Sequence, residues 1–137
     1  MSRCDFLGTD VDERALARAA GAAFGPHDQK GLTPDLIAGY FTAGKDDTLS
    51  FRRDLAERVQ FEKLNLLSDP SPTQCHLTIC RNVVIYFTEE SKALIHRSLC
   101  NSLLRGGILF VGSTERIFHH RRLGLEQVRS FFYQKAG

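Results

Sequence analysis

The stretch HLTICRNVVIYF, residues 76–87, is nearly continuous and apolar, as a central strand of a parallel sheet must be when it is buried on both faces. Only Arg81 and Asn82 interrupt it. A charge inside such a run is costly unless it is paired or stands at a strand end facing a cleft. Arg81-Asn82 therefore reads either as a structural pair or as the start of a functional site. Tyr86, a few residues on, brings an aromatic face and a hydroxyl to the same neighbourhood, although a tyrosine at the start of a helix commonly serves packing. Thr88 is placed to cap a helix whose first turn holds Glu89 and Glu90. Its apolar stripe includes Ile95, Leu99 and Leu103, and Gly106-Gly107 is its expected stop. ILFVG, residues 108–112, reads as the next buried strand.

Working outward, the start of the chain repeats this alternation. CDFLGTDVD (4–12) is a short apolar run ending in acids, and Asp12 can cap a helix with Glu13 in its first turn and Gly21 at its end. Residues 21–52 break the pattern. GPHDQKG and TAGKDDT are turn chemistry, and TPDLIAGYF begins with a Thr-Pro helix start. This segment reads as an inserted small subdomain whose Phe24, Tyr40, Phe41 and Phe51 serve packing, or else as a surface that recognises a partner. LSF followed by RRDLAER reads as a short strand or helical turn, and VQFEKLN (59–65) as a strand with Val59, Phe61 and Leu64 inward. SDPSPTQ (68–74) is a loop, and LEQVRSFFYQK (125–135) is a closing antiparallel hairpin around Arg129-Ser130. The sum is an α/β domain with a mostly parallel sheet.

The composition of the 137 residues fits that class: 42% are hydrophobic and 25% charged, with a mean hydropathy of -0.21. Eighteen basic residues against sixteen acidic give a net charge of +2, too weak a field for a dedicated nucleic-acid binder. No apolar stretch approaches the ~20 residues of a membrane helix. MSRCDFLGTDVDE lacks the basic end and apolar stretch of a signal peptide. Cys4, Cys75, Cys80 and Cys100 are too sparse for a disulfide scaffold. They read as reduced thiols of a cytoplasmic protein. Cys75, His76 and Cys80 alternate as on a strand and point to different faces, so they read as core residues, and no metal site is expected.

In parallel sheets ligands bind at the carboxyl ends of the strands, where this chain places Asp10, Asn65, Arg81-Asn82 and Glu115. A carboxylate at Asp10 can accept hydrogen bonds from both hydroxyls of a ribose; it equally suits the neighbourhood of a helix N-terminus. Asn65 offers a donor and an acceptor that suit an adenine edge, or it is a turn asparagine. The basic stretch Arg116–Arg122 reads as a solvated face, or as a contact for an acidic partner.

Together these segments resemble the CheR family, S-adenosylmethionine-dependent methyltransferases that esterify glutamate side chains of chemoreceptors. The motifs occur in the family's order: GTDVDERALARA then GAAF, LTPDLIAGYF, RRDLAERVQFEKLNLL, CRNVVIYFTEE, LRGGILFVGSTE and FFYQK. The resemblance implies a Rossmann-like class I methyltransferase fold. It implies that Asp10 holds the cofactor ribose, that Asn65 and Leu66 line the adenine, that Arg81 and Asn82 contact the cofactor, and that Tyr86 lies near the transferred methyl as the catalytic residue. Residues 21–52 correspond to the family's small β-subdomain, which in some members docks on a receptor's C-terminal peptide. The implied partners are glutamate-bearing receptor helices.

Against that pattern the chain is expected to begin at the second strand. None of its glycines forms the Gly-rich turn that follows a first strand. The strands that flank an absent central strand would keep unpaired backbone groups or pair with each other. His76 stands where the family's CRN strand carries an acid. A non-enzymatic adaptor that binds receptor tails through residues 21–52 is the alternative reading. A methyltransferase for a small molecule would fit Asp10 and Asn65 but not CRNVVIYF.

Overall fold

The computed structural model describes residues 4–137, and the chain forms two compact units that meet in sequence between Leu64 and Asn65. In the first unit, β1 (Phe6–Asp10) pairs in parallel with β5 (Val59–Lys63), from Phe6 opposite Val59 to Asp10 opposite Lys63. Gly8 lies opposite Phe61, and a β-carbon there would stand 2.7 Å from the ring. A side chain at this position would press on the ring where it now lies. Helix α1 (Glu13–Ala20) starts as its sequence predicts: Asp12 accepts a 2.8 Å hydrogen bond from the Arg14 N–H. Lys63 Nζ, 3.1 Å from Glu13, ties that helix to β5.

Between these strands the chain makes a separate antiparallel sheet, ordered β2-β4-β3, from β2 (Ala23–Phe24), β3 (Phe41–Ala43) and β4 (Leu49–Phe51). Helix α2 (Pro34–Tyr40) begins at Thr33, whose hydroxyl accepts from the Leu36 N–H, with Pro34 in the first turn. Phe24 meets Phe41 edge-on at 5.7 Å, and Phe41 meets Phe51 at 5.2 Å. These three rings hold the small sheet together, as read from the sequence, whereas Tyr40, read as packing with them, is 44% exposed. Helix α3 (Arg53–Ala56) leads back to β5.

The second unit is a four-stranded sheet ordered β6-β7-β9-β8. Here β6 (Cys75–Cys80) is parallel to β7 (Leu103–Val111), and β8 (Leu125–Arg129) and β9 (Phe132–Lys135) form the antiparallel hairpin. Helix α4 (Glu89–Ser102), capped by Thr88, packs its Ile95 and Leu99 with Leu103, Leu109, Val111, Leu125 and Tyr133 in one buried core.

The structure corrects two readings. The apolar run 76–87 is not one strand: β6 ends at Cys80, and Val84–Tyr86 is a 3-10 turn. Nor is the strand buried on both faces, because Leu77 and Ile79 are more than half exposed. Helix α4 ends at Ser102 rather than at the glycine pair. Leu103, 2% exposed, belongs to the core, and its carbonyl accepts from Lys135 Nζ at 2.7 Å, so the chain turns straight into β7. Gly106, at a φ of +79°, lies within that strand, where the β6-β7 register shifts. Among the described residues β1 pairs with β5 alone and β6 with β7 alone.

Candidate functional site

Arg81, Asn82 and Tyr86 lie on the single turn that follows β6. Asn82 has a φ of +58°, the left-handed region, which asparagine tolerates better than most residues. Val83 returns to right-handed backbone. The pair of opposite hands points the N–H groups of residues 82, 83 and 84 toward one spot, the geometry of an anion-binding nest. Among the described residues Arg81 has no ion pair, and its guanidinium sits 5.2 Å from the centre of the Phe110 ring. Tyr86, 81% exposed, packs against no core.

The nest is filled from within the chain by Glu115, which the sequence marks only as a polar residue at a strand end. Glu115 Oε1 accepts from the Val83 and Val84 N–H groups at 2.8 and 2.6 Å. Oε2 accepts from the Asn82 and Gly112 N–H groups at 2.6 and 3.0 Å. Glu115 as a whole is 5% exposed. Burial alone would push its pKa up, but the four backbone donors outweigh that and hold it below the ordinary glutamate range. Nearby, burial together with the Glu115 charge pushes the Cys80 thiol up to about 11. His96 on α4 has its pKa lowered by burial, against the pull of Glu115, and its Nε2 is buried without a partner.

Asp10, in the first unit, stands at the carboxyl end of β1. Its Oδ1 accepts from the Asp12 N–H at 2.9 Å. Its other oxygen takes no hydrogen bond among the described residues. Asp12 rather than Asp10 caps α1. Asn65 opens the second unit in a turn: its Oδ1 accepts from the Leu67 N–H at 3.0 Å, which leaves the side-chain amide as its donor. Leu66 packs on the core of that unit. In the basic stretch, His120 Nδ1 lies 3.0 Å from the Ile117 carbonyl and its ring leans on Tyr133, so that histidine serves packing. Two shallow depressions of about 530 and 560 Å³ in this unit contain none of the site residues. Among the described residues no helix is long and apolar enough to cross a membrane.

Residues 1–132 match the family described as CheR methyltransferase, SAM binding domain. A chemotaxis protein methyltransferase of Listeria innocua is 33% identical over 132 residues, covering 96% of this chain and 50% of the relative. The one of Escherichia coli is 32% identical, covering 89% and 48%. The chain spans about half the length of these curated relatives. A solved TehB-like SAM-dependent methyltransferase of Corynebacterium glutamicum is similar at 18% identity and a TM-score of 0.49, covering 95% of this chain and 65% of that one. With its parallel β1-β5 and β6-β7 pairs, its antiparallel C-terminal hairpin and a family match over nearly its whole length, the chain belongs to the CheR methyltransferase family, as its S-adenosyl-L-methionine-binding domain.

Proposed function

We propose that this chain supplies the cofactor-binding part of a cytoplasmic enzyme that methylates glutamate side chains of chemotaxis receptors. The observation that carries the reading is the turn after β6, where Arg81, Asn82 and Tyr86 are presented together and the tyrosine ring is left to solvent. Asp10 would hold the ribose through its open carboxylate oxygen, Asn65 and Leu66 the adenine, and Arg81 and Asn82 the rest of the cofactor. When bound, S-adenosyl-L-methionine supplies an electrophilic methyl to a glutamate oxygen, and the sulfur keeps the electron pair of the broken bond.

Glutamate is ionised at neutral pH, with an ordinary pKa of about 4.3, so no strong general base is required. The residues contribute alignment and removal of water. Tyr86 is the catalytic residue of this reading, its hydroxyl donating to the incoming carboxylate. Arg81, stacked on Phe110, offers a positive charge toward which that carboxylate is drawn.

Titrating the isotopically labelled chain with millimolar S-adenosylhomocysteine tests this. Amide shifts are expected at Asp10, Asn65, Arg81 and Asn82. An unchanged spectrum, or shifts confined to other residues, would overturn it. In a methyl-transfer assay Tyr86→Phe is expected to lower turnover by about tenfold or more, with stability unchanged within about 0.5 kcal/mol because the side chain is exposed.

The β2-β4-β3 sheet, held by its own aromatic rings within residues 21–52, supports a second reading as a docking module for a receptor's C-terminal peptide. Capture of such peptides by the chain without any cofactor affinity would favour an adaptor. No capture of any peptide would count against it.

A further inference from the structure

We propose that Glu115 is a positioning residue: it is the internal anion that fixes the Asn82–Val84 turn and thereby sets where Tyr86 and Arg81 stand. The inference rests on the functional reading of those two residues. Its structural half stands without that reading.

The geometry excludes a ligand role for Glu115. Each of its oxygens already accepts two backbone N–H groups, and the side chain is 5% exposed, so nothing remains to meet a cofactor. A nest of successive N–H groups attracts an anion, and when such a turn is open the anion is commonly a phosphate or another ligand. Here the chain brings its own, from a residue 33 positions beyond Asn82. That link joins the end of β6 to the loop after β7, the two places in this sheet where the strands deliver polar groups.

Gly112 completes the device. A β-carbon at that position would overlap Glu115 Oε2 and stand 3.2 Å from the Asn82 nitrogen. The residue that follows β7 must therefore lack a side chain for the carboxylate to reach the turn. From the turn the chain runs into the 3-10 segment Val84–Tyr86, with Val84 buried at 2% and anchored by its N–H to Glu115. Tyr86 follows two residues later, fixed in direction by that anchor while its own ring makes no core contact.

The test uses the whole 137-residue chain. In the wild type, scalar couplings across the hydrogen bonds should link the Glu115 carboxylate carbon to the amide nitrogens of Asn82, Val83, Val84 and Gly112; their absence would overturn the proposal. In Glu115→Gln one oxygen becomes an amide group that cannot accept. Hydrogen exchange at those four amides should rise by about tenfold or more, while Leu109 and Tyr133 keep their protection. Leu125→Ala, in the distant β8 of the same core, serves as a control for general destabilisation. Affinity for S-adenosylhomocysteine should fall by about tenfold in Glu115→Gln and stay within about twofold in the control. Equal losses in both would reduce Glu115 to a merely stabilising role and overturn the proposal. If the wild type binds no S-adenosylhomocysteine, the cofactor reading fails, and the couplings still decide whether Glu115 holds the turn. Should Glu115→Gln not fold, those wild-type couplings and Glu115→Asp carry the test: aspartate keeps the charge and is expected to restore part of the exchange protection.

Discussion

Replacing Tyr133 by phenylalanine isolates one buried hydrogen bond. Tyr133 is fully buried in β9, and its hydroxyl accepts from the Ile117 N–H at 3.1 Å. The substitution removes one oxygen and leaves the ring in place against the core, so no cavity term of the kind that follows Leu→Ala arises. What remains is an unpaired backbone donor at a residue only 3% exposed. Leaving such a group unsatisfied costs about 1–3 kcal/mol, a sizeable share of the 5–15 kcal/mol that a domain typically has. Urea unfolding followed by circular dichroism would show this as a lower midpoint with an unchanged slope; with a slope of about 2 kcal/mol/M the midpoint falls by about 0.5–1.5 M. A change below about 0.3 kcal/mol would mean that the Ile117 N–H is not sealed from water. A loss well above about 4 kcal/mol would mean that the ring itself had moved. Either result refutes the reading of the Tyr133 hydroxyl as the sealed partner of the Ile117 N–H.

The remaining predictions concern both units. Gly8→Ala should destabilise the first unit by about 1–3 kcal/mol, because the new methyl meets Phe61; a neutral result in thermal unfolding would show that the ring can swing away. Glu115 is held below its unfolded value of 4.5, so its contribution should be complete above about pH 4.5 and disappear as pH falls through the lower folded value. Wild type and Glu115→Gln should accordingly differ in urea midpoint at pH 7 and converge in acid, and a gap that does not narrow as the pH is lowered would contradict this. Thiol labelling at pH 8 should modify exposed Cys4 first and half-buried Cys75 more slowly. Cys80, pushed up to about 11, and Cys100, whose Sγ lies 2.9 Å from the Leu123 carbonyl, should react only on unfolding.

The parts of the fold that local chemistry dictates were legible in the sequence. Asp12, Thr33 and Thr88 each start the helix their side chains suggest, and the hairpin turns where Arg129-Ser130 interrupts it. Strand and helix ends governed by distant contacts were not. Arg81-Asn82 marks a break in HLTICRNVVIYF, but nothing local shows the shape of the turn that follows β6, whose N–H groups are taken by a carboxylate 33 residues beyond Asn82. Gly106-Gly107 resembles a helix stop, yet a buried Leu103 and its Lys135 partner claim the chain first. Of the site, Arg81, Asn82 and Tyr86 were visible as a break in an apolar run. Glu115 was visible as a polar residue past a strand, but its inward direction was not, since a strand pattern says nothing about which way a loop carboxylate folds. The spacing Gly112 to Glu115, glycine at the strand end and an acid three residues on, is the one signal that would have suggested it.

The coupling of Gly112, Glu115 and Asn82 also constrains how this sequence can drift. A side chain at 112 evicts the carboxylate, loss of the acid at 115 strands up to four amides, and a β-branched residue at 82 resists the left-handed backbone. Each single step is therefore deleterious while the three remain as they are, and a chain that abandons one gains little by keeping the others. In a saturation library these positions should show strong pairwise epistasis, with tolerated variants appearing as combinations rather than as independent substitutions.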